Sequence, residues 1–369
     1  MGLLGLIKNP VFSNTGFYFS WIGSLQSTDS TESAQMPVLV LSTSATFLRT
    51  AHPMRILVTG GSGFIGSALL QHLSACPDHQ LRAALRSRST ASSVPSGVDV
   101  IEVGEIGPET DWRAALTGID TVVHCAARVH VMHETASDPL EQFRRVNVAG
   151  TIALARHAQK AGVKRLVFLS SIKVNGEQTK PGRPFTADDT PAPVDPYGIS
   201  KLEAEQALLA LASDGAMEVV VIRPVLVYGP GVKANFRVMM RWMEKGVPLP
   251  LGAIHHNRRS LVALDNLVDL MTLCLHHPAA ANEVFLVSDG EDISTTELLH
   301  RMAHAMGRPA RLIRVPASAI ECAARLLGKS AAAQRLCGSL QVDIDKTKTK
   351  LCWSPPSTLD AALKHTTGK

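Results

Sequence analysis

The six cysteines (Cys76, Cys125, Cys274, Cys322, Cys337 and Cys352) contain no CxxC pair and no His/Cys spacing suited to a metal. This argues against a zinc ribbon and a disulfide framework, and no metal site is expected. No secretory signal is recognisable either, so a reducing cytoplasm is the expected setting. No apolar run approaches the ~18–20 residues that a membrane helix needs. The most lipid-like stretch, VFSNTGFYFSWIG at 11–23, is short and broken by Ser, Asn and Gly, so no membrane span is expected. Runs of Lys and Arg are missing too, and the net charge is only +5 over 369 residues. Nucleic acid is therefore not an expected partner. Against these absences stands an ordinary globular composition, 45% hydrophobic and 19% charged, in a chain long enough for roughly two domains.

Residues 1–53 are rich in Ser and Thr and keep no period of 2 or 3.6. They read as a leader, either a disordered tail or an extension upstream of a natural start at Met54. From Met54 onward short apolar runs (RILVT, LRAAL, VDVIEV, DTVVHCA, RLVFLSS, EVVVIRP) alternate with helical stretches at 64–75, 140–161 and 197–212. Runs so rich in Val, Ile and Leu suit strands covered on both faces. Their alternation with helices predicts an α/β fold of Rossmann type, a doubly wound parallel sheet over 54–223. Beyond Pro224 turn-rich pieces alternate with helices near 236–245, 266–276, 295–306 and 318–327. This part, 224–369, reads as a smaller C-terminal α/β substrate domain. There is no internal repeat.

TGGSGFIG follows the first strand and opens the first helix, with Gly60, Gly63 and Gly66 at the turn and Phe64 and Ile65 at the helix start. Free N–H groups, the positive end of a helix dipole and missing Cβ atoms together suit the pyrophosphate of a dinucleotide. An acidic residue normally holds the adenosine ribose about twenty residues further on. Here the second strand ends instead at Arg86, followed by Ser87, Arg88 and Ser89. A carboxylate would repel a 2′-phosphate whereas arginines would bind one, so NADP is favoured over NAD.

DPYGISKLEAE places Tyr197 and Lys201 four residues apart, on one face of a helix. A free phenol, with a pKa near ~10, is a poor acid–base catalyst at neutral pH, and an adjacent ammonium favours its ionised form. Upstream, FLSSIKVNG ends a strand at Ser170–Ser171. Either hydroxyl there can donate to a reacting oxygen.

With these motifs the stretch from Met54 to about Leu363 resembles the extended short-chain dehydrogenase superfamily, in its NAD-dependent epimerase/dehydratase group. The resemblance rests on TGGSGFIG, HCAARVH, NVAGT, LSSIKVNG and YGISK. It implies that Ser171 polarises the substrate oxygen, that Tyr197 is the acid–base, and that Lys201 tunes it and binds the nicotinamide ribose. Ser170 is the alternative hydroxyl, as a substrate contact. The same resemblance implies that Ala126 and Ala127 line the cofactor and that Asn147 supports the framework. It places Glu105 and Ile106 near the adenine, where the family usually has Asp, and Pro224 near the nicotinamide. A homodimer through two long helices is usual for such proteins.

On the substrate side HHNRRSLVALDNLVD resembles the segment in which nucleotide-sugar enzymes place an arginine on the diphosphate. Aligned on Asp265 that arginine is Arg258, with Arg259 beside it, and Asn235 matches a second contact or an ordinary helix cap. Ser260 replaces the usual aromatic residue. His124, His130 and His133 straddle a strand end and a loop with no carboxylate pattern, which speaks against a metal.

A dehydratase would want a carboxylate pair after the strand-end hydroxyl, where this chain has Ser-Ile-Lys. The expected activity is therefore at C4 of a UDP-sugar. A UDP-4-keto-6-deoxy-N-acetylhexosamine 4-reductase is favoured, because Arg86 suits an exchanging NADPH, and a UDP-glucose or UDP-N-acetylglucosamine 4-epimerase is the alternative. A dinucleotide-binding sensor and a reductase of hydrophobic alcohols are the more distant readings.

Overall fold

The computed structural model describes residues 53–129, 138–180, 182–232 and 234–368, all within the unit Thr50–Lys369. Residues 1–52, read above as leader, lie outside the described residues, as do His130, His133 and the side chain of Asn235.

The chain opens with strand β1 (Arg55–Thr59), helix α1 (Phe64–Leu73), β2 (Gln80–Leu85), β3 (Asp99–Glu102), the short α2 (Arg113–Leu116) and β4 (Thr121–His124). Next come α3 (Pro139–Phe143), α4 (Thr151–Lys160), β5 (Arg165–Leu169), α5 (Pro196–Ser213) and β6 (Glu218–Pro224). Six of these strands and a later one, β9, form a seven-stranded sheet in the order β3-β2-β1-β4-β5-β6-β9, every pair parallel. The predicted doubly wound architecture is thus present. Its order reverses between β1 and β4, the switch point at which such sheets bind dinucleotides.

All residues of β4 and β5 are buried, as the unbroken apolar runs required. Ile56, Val58, Val123 and Val167 pack on one face with Leu69, Leu70 and Leu73 of α1. Leu57, Val122, Leu166 and Phe168 pack on the other with Leu154 of α4 and Ala204 and Leu208 of α5. Each fully buried aliphatic side chain stabilises the fold by about 1.5–3 kcal/mol, so the strand ends that carry the site are rigidly held.

Beyond β6 lie β7 (Leu226–Tyr228), α6 (Ala234–Glu244), β8 (Arg259–Ala263), α7 (Leu264–Cys274), β9 (Glu283–Val287) and β10 (Asp292–Ile293). The chain closes with α8 (Thr295–Ala305), α9 (Ala317–Leu326), α10 (Ser330–Cys337), α11 (Asp345–Leu351) and α12 (Leu359–Thr367). β10, β8 and β7 make a small mixed sheet over a separate core that includes Tyr228, Phe236, Leu261 and Met302. Residues after Pro224 therefore contribute both this sheet and β9, an edge of the large one.

The helix expected at 140–161 is not continuous. Between α3 and α4 the turns widen into a π-helical segment, Arg144–Gly150. A Cβ at Gly150 would lie 2.6 Å from Ile106 Cγ2, so the glycine lets this segment close onto the loop after β3. Such widened turns recur at functional sites, and this one turns Asn147 inward.

Candidate active site

The glycine turn is built for close approach. Gly60 has φ +71°, and a Cβ there would lie 2.8 Å from the Ala126 backbone nitrogen; one at Gly66 would lie 2.2 Å from the Gly60 carbonyl oxygen. Only glycine fits either position, and the result is a bare backbone cradle between β1 and β4. Gly63 is the N-cap of α1 and no side chain caps that helix, which leaves its first N–H groups to an anion. Beneath the cradle, the Ala126 N–H donates to Thr59 Oγ1 at 3.3 Å, and Thr59 Oγ1 is 2.7 Å from His124 Nδ1. His124 Nε2 is 3.0 Å from Thr151 Oγ1 and the ring stacks on Phe168. His124 is thus a structural link rather than a ligand: burial pushes its pKa down to about 3, so it is neutral. These residues fit a dinucleotide pyrophosphate laid across the amino end of α1.

At the end of β2, Arg86 and Arg88 are exposed as a phosphate-binding pair would be. However, Glu102 closes β3 in register with Leu85, and its carboxylate accepts the Arg88 N–H at 3.1 Å. Acid and base therefore share this edge. The sequence did not reveal Glu102 because strand register, not spacing, brings it there. Glu105 is exposed and its carbonyl accepts from Thr110 Oγ1, while Ile106 packs at Gly150. Ala127 is half-buried on the loop after β4, and Pro224 is buried at the end of β6, paired with Val287.

Asp195 caps α5, its carboxylate accepting the Gly198 N–H at 2.7 Å. This start places Tyr197 in the first turn, where the Ser171 hydroxyl lies near enough to favour the phenolate and Phe143 meets the ring edge-on at 6.0 Å. Lys201 follows one turn later and is only 2% exposed. Its Nζ donates to the Leu169 carbonyl at 2.8 Å and lies 4.4 Å from the centroid of Phe168. Burial lowers Lys201 to about 8, against the raising pull of Glu205. Tyr197 moves opposite to expectation: burial, and then Asp195, push it up to about 12, with the Ser171 hydroxyl as the opposing effect. The ammonium, held at the Leu169 carbonyl, does not offset this.

The structure separates the two serines. Ser170 is 4% exposed and donates to the carboxylate of Glu205. Its hydroxyl is thereby committed to the interior, whereas Ser171 lies beside Tyr197. Glu205 is in turn gripped by Arg223, whose Nη1 donates to Asn175 Oδ1 at 3.0 Å. Asn147 holds the framework together: its Oδ1 accepts the Arg128 N–H at 2.8 Å, and its Nδ2 donates to the Arg128 carbonyl and to Ser200 Oγ, both at 3.0 Å.

On the other side of the cleft, Arg258 does not behave as a free diphosphate fork. It is exposed, and its Nη1 donates to the carbonyls of His255 and Asn257 at 2.9 and 3.0 Å. Its neighbour Arg259 is half-buried, donates to the Gly338 carbonyl at 3.1 Å, and is lowered by burial and by the charge of Arg335. Ser260, which stands where the resembling segments usually have an aromatic residue, is buried and bonds Asp292. Among the described residues no group of three or more His, Cys, Asp or Glu could hold a metal.

A bare glycine cradle, a neutral buried histidine behind it, and Ser171, Tyr197 and Lys201 at the carboxyl ends of β5 and on α5 define a nicotinamide-dependent enzyme of the short-chain dehydrogenase type. The chain belongs to the NAD dependent epimerase/dehydratase family, whose profile matches residues 56–288. It is 50% identical over 314 residues to a protein from Vibrio cholerae named UDP-glucose 4-epimerase, covering 85% of this chain and 94% of that one. Among solved structures it is similar to MoeE5 in complex with UDP-glucose and NAD, with a TM-score of 0.68, 25% identity, and 85% and 97% of the two chains covered. It also shares its fold with the UDP-glucuronic acid 4-epimerase from Bacillus cereus in complex with NAD, with a TM-score of 0.70, 21% identity, and 85% and 98% covered.

Proposed function

We propose that the protein is an NAD-dependent UDP-sugar 4-epimerase. The observation that carries this reading is Ser171 beside Tyr197, with Lys201 one turn further along the same helix, in a chain half identical to a UDP-glucose 4-epimerase across nearly all of that relative. Held at the glycine turn of Gly60, Gly63 and Gly66, NAD would supply reversible hydride transfer at C4 of the sugar. Tyr197 takes the proton of the 4-hydroxyl and later returns it, while Ser171 holds the oxygen in place. A phenol raised to about 12 needs a nearby positive charge to ionise near neutral pH, and Lys201, one turn along the same helix face, is the residue to supply it once its ammonium leaves the Leu169 carbonyl. Lys173 occupies the position after Ser171 and Ile172, and the carboxylates beside it, Glu177 and Asp195, are engaged by its ammonium rather than set for elimination of water.

This reading replaces the favoured 4-reductase, whose support was a basic β2 end suited to exchanging NADPH. With Glu102 on the Arg88 N–H, that edge also carries a carboxylate that repels a 2′-phosphate. Arg259 and Arg335, which repel one another, replace Arg258 as the pair for the sugar's diphosphate, because an anion between them relieves the repulsion. The C-terminal part, 224–369, then holds the substrate and the part before it the cofactor.

The test is to incubate the purified protein with UDP-glucose, and separately with UDP-N-acetylglucosamine, without added cofactor. Formation of the 4-epimer from either is expected. Turnover only of a 4-keto sugar, with NADPH consumed in step, would restore the reductase.

A further inference from the structure

Helix α9 is an anomaly in this fold, because none of its residues is buried. Ala317, Ile320 and Ala324 are half-buried toward the body, whereas Ala319, Cys322, Ala323, Leu326 and Leu327 face solvent. The solvent-facing residues recur at helical spacing and form a second apolar stripe. Leu326 is 84% and Leu327 72% exposed, an arrangement that a soluble surface does not need. Ile313, before the helix, is 53% exposed.

The charge around this stripe is one-sided. From 308 to 329 the cations are Arg308, Arg311, Arg314, Arg325 and Lys329, against the single carboxylate of Glu321. All five cations are exposed. An apolar stripe flanked by exposed Arg and Lys fits a surface that is oily within and anionic at its edge. We propose that α9 and the basic segment before it dock on an anionic phospholipid surface. The leucines enter the acyl boundary and the cations meet headgroup phosphates. No helix among the described residues is long and apolar enough to cross a membrane, so the contact is peripheral. A second copy of the chain is the disfavoured occupant, because a two-fold contact through the stripe would set these cations against their own counterparts. The proposal goes beyond the sugar chemistry and does not depend on it.

The test is flotation of the full chain with vesicles of phosphatidylcholine alone or with about one quarter phosphatidylglycerol. Binding to the anionic vesicles is expected to be at least about tenfold tighter, and to weaken as added salt screens the charges. Two double variants, Leu326→Ser with Leu327→Ser and Arg325→Glu with Lys329→Glu, should each lose about tenfold in binding while keeping the wild-type melting temperature. Equal binding to neutral vesicles, no binding to anionic ones, or unchanged binding by both variants would overturn the proposal. So would a wild-type dimer that the leucine variant converts to monomer, which would assign the stripe to a second copy.

Discussion

Arg223 grips Glu205 through three hydrogen bonds of 2.6 to 3.1 Å, with both side chains almost wholly buried, one helical turn beyond Lys201. Glu205 also accepts from Ser170, so the pair ties β5, α5 and β6 together directly behind the reacting residues. Removing one partner of such a pair leaves an uncompensated buried charge and costs about 3–5 kcal/mol. Glu205→Ala should lose stability of that order in urea denaturation. Glu205→Leu combined with Arg223→Met should recover much of the loss.

The same contact gives the two strand-end serines different fates. Ser171→Ala should lower kcat by about 10²-fold or more, with little change in stability. Ser170→Ala should instead cost about 1–3 kcal/mol of stability, because the buried carboxylate loses a donor, and keep kcat within a few fold of wild type. Steady-state kinetics beside urea denaturation of the two variants checks both halves.

At the cofactor cradle, Gly66→Ala would force a Cβ against the Gly60 carbonyl oxygen at 2.2 Å. The turn must open to admit it, which shifts the N–H groups that meet the pyrophosphate. Dinucleotide affinity, read by calorimetry, should fall at least about tenfold, or by about 1.4 kcal/mol. Gly97→Ala, at a turn with φ +90° but nothing within 4 Å of the added atom, should cost some stability through its backbone and leave that affinity unchanged.

His124 supplies an acid-sensitive element. Its folded pKa, lowered to about 3 by burial, lies below that of an unfolded histidine near 6.5. Between these values the unfolded chain binds a proton that the folded chain refuses. The stability contribution is therefore fully present above pH 6.5 and lost as the pH falls, at roughly 1.4 kcal/mol per unit. Urea denaturation at pH 7.5 and 5.5 should show a steeper loss for the wild type than for His124→Gln.

The strands, the glycine turn and the Tyr197–Lys201 pair could be read from the sequence because each depends on local spacing: an unbroken apolar run, glycines at a strand-to-helix turn, two residues on one helix face. Features set by tertiary contact were not legible. Glu102 reaches the β2 edge only through the β2–β3 register. Ser170 and Ser171 are adjacent and chemically alike; the resemblance favours Ser171 at the reacting oxygen, but the bond that commits Ser170 to the distant Glu205 leaves no local trace. The spacing that aligns Arg258 with Asp265 carries no sign of the local carbonyls that engage its Nη1, nor of the charge of Arg335 acting on Arg259. The widened turn at Arg144–Gly150 carries no periodic signature, since it follows from how Gly150 meets Ile106.

The most direct measurement of the central claim follows the hydrogen at C4. A UDP-hexose carrying deuterium there is converted by the protein, and the label is traced by NMR in the product and in the surrounding pool of dinucleotide. Epimerisation through Ser171, Tyr197 and a retained NAD predicts a 4-epimer that keeps its deuterium, with none in free dinucleotide. Deuterium released into that pool, or no 4-epimer at all, would contradict it.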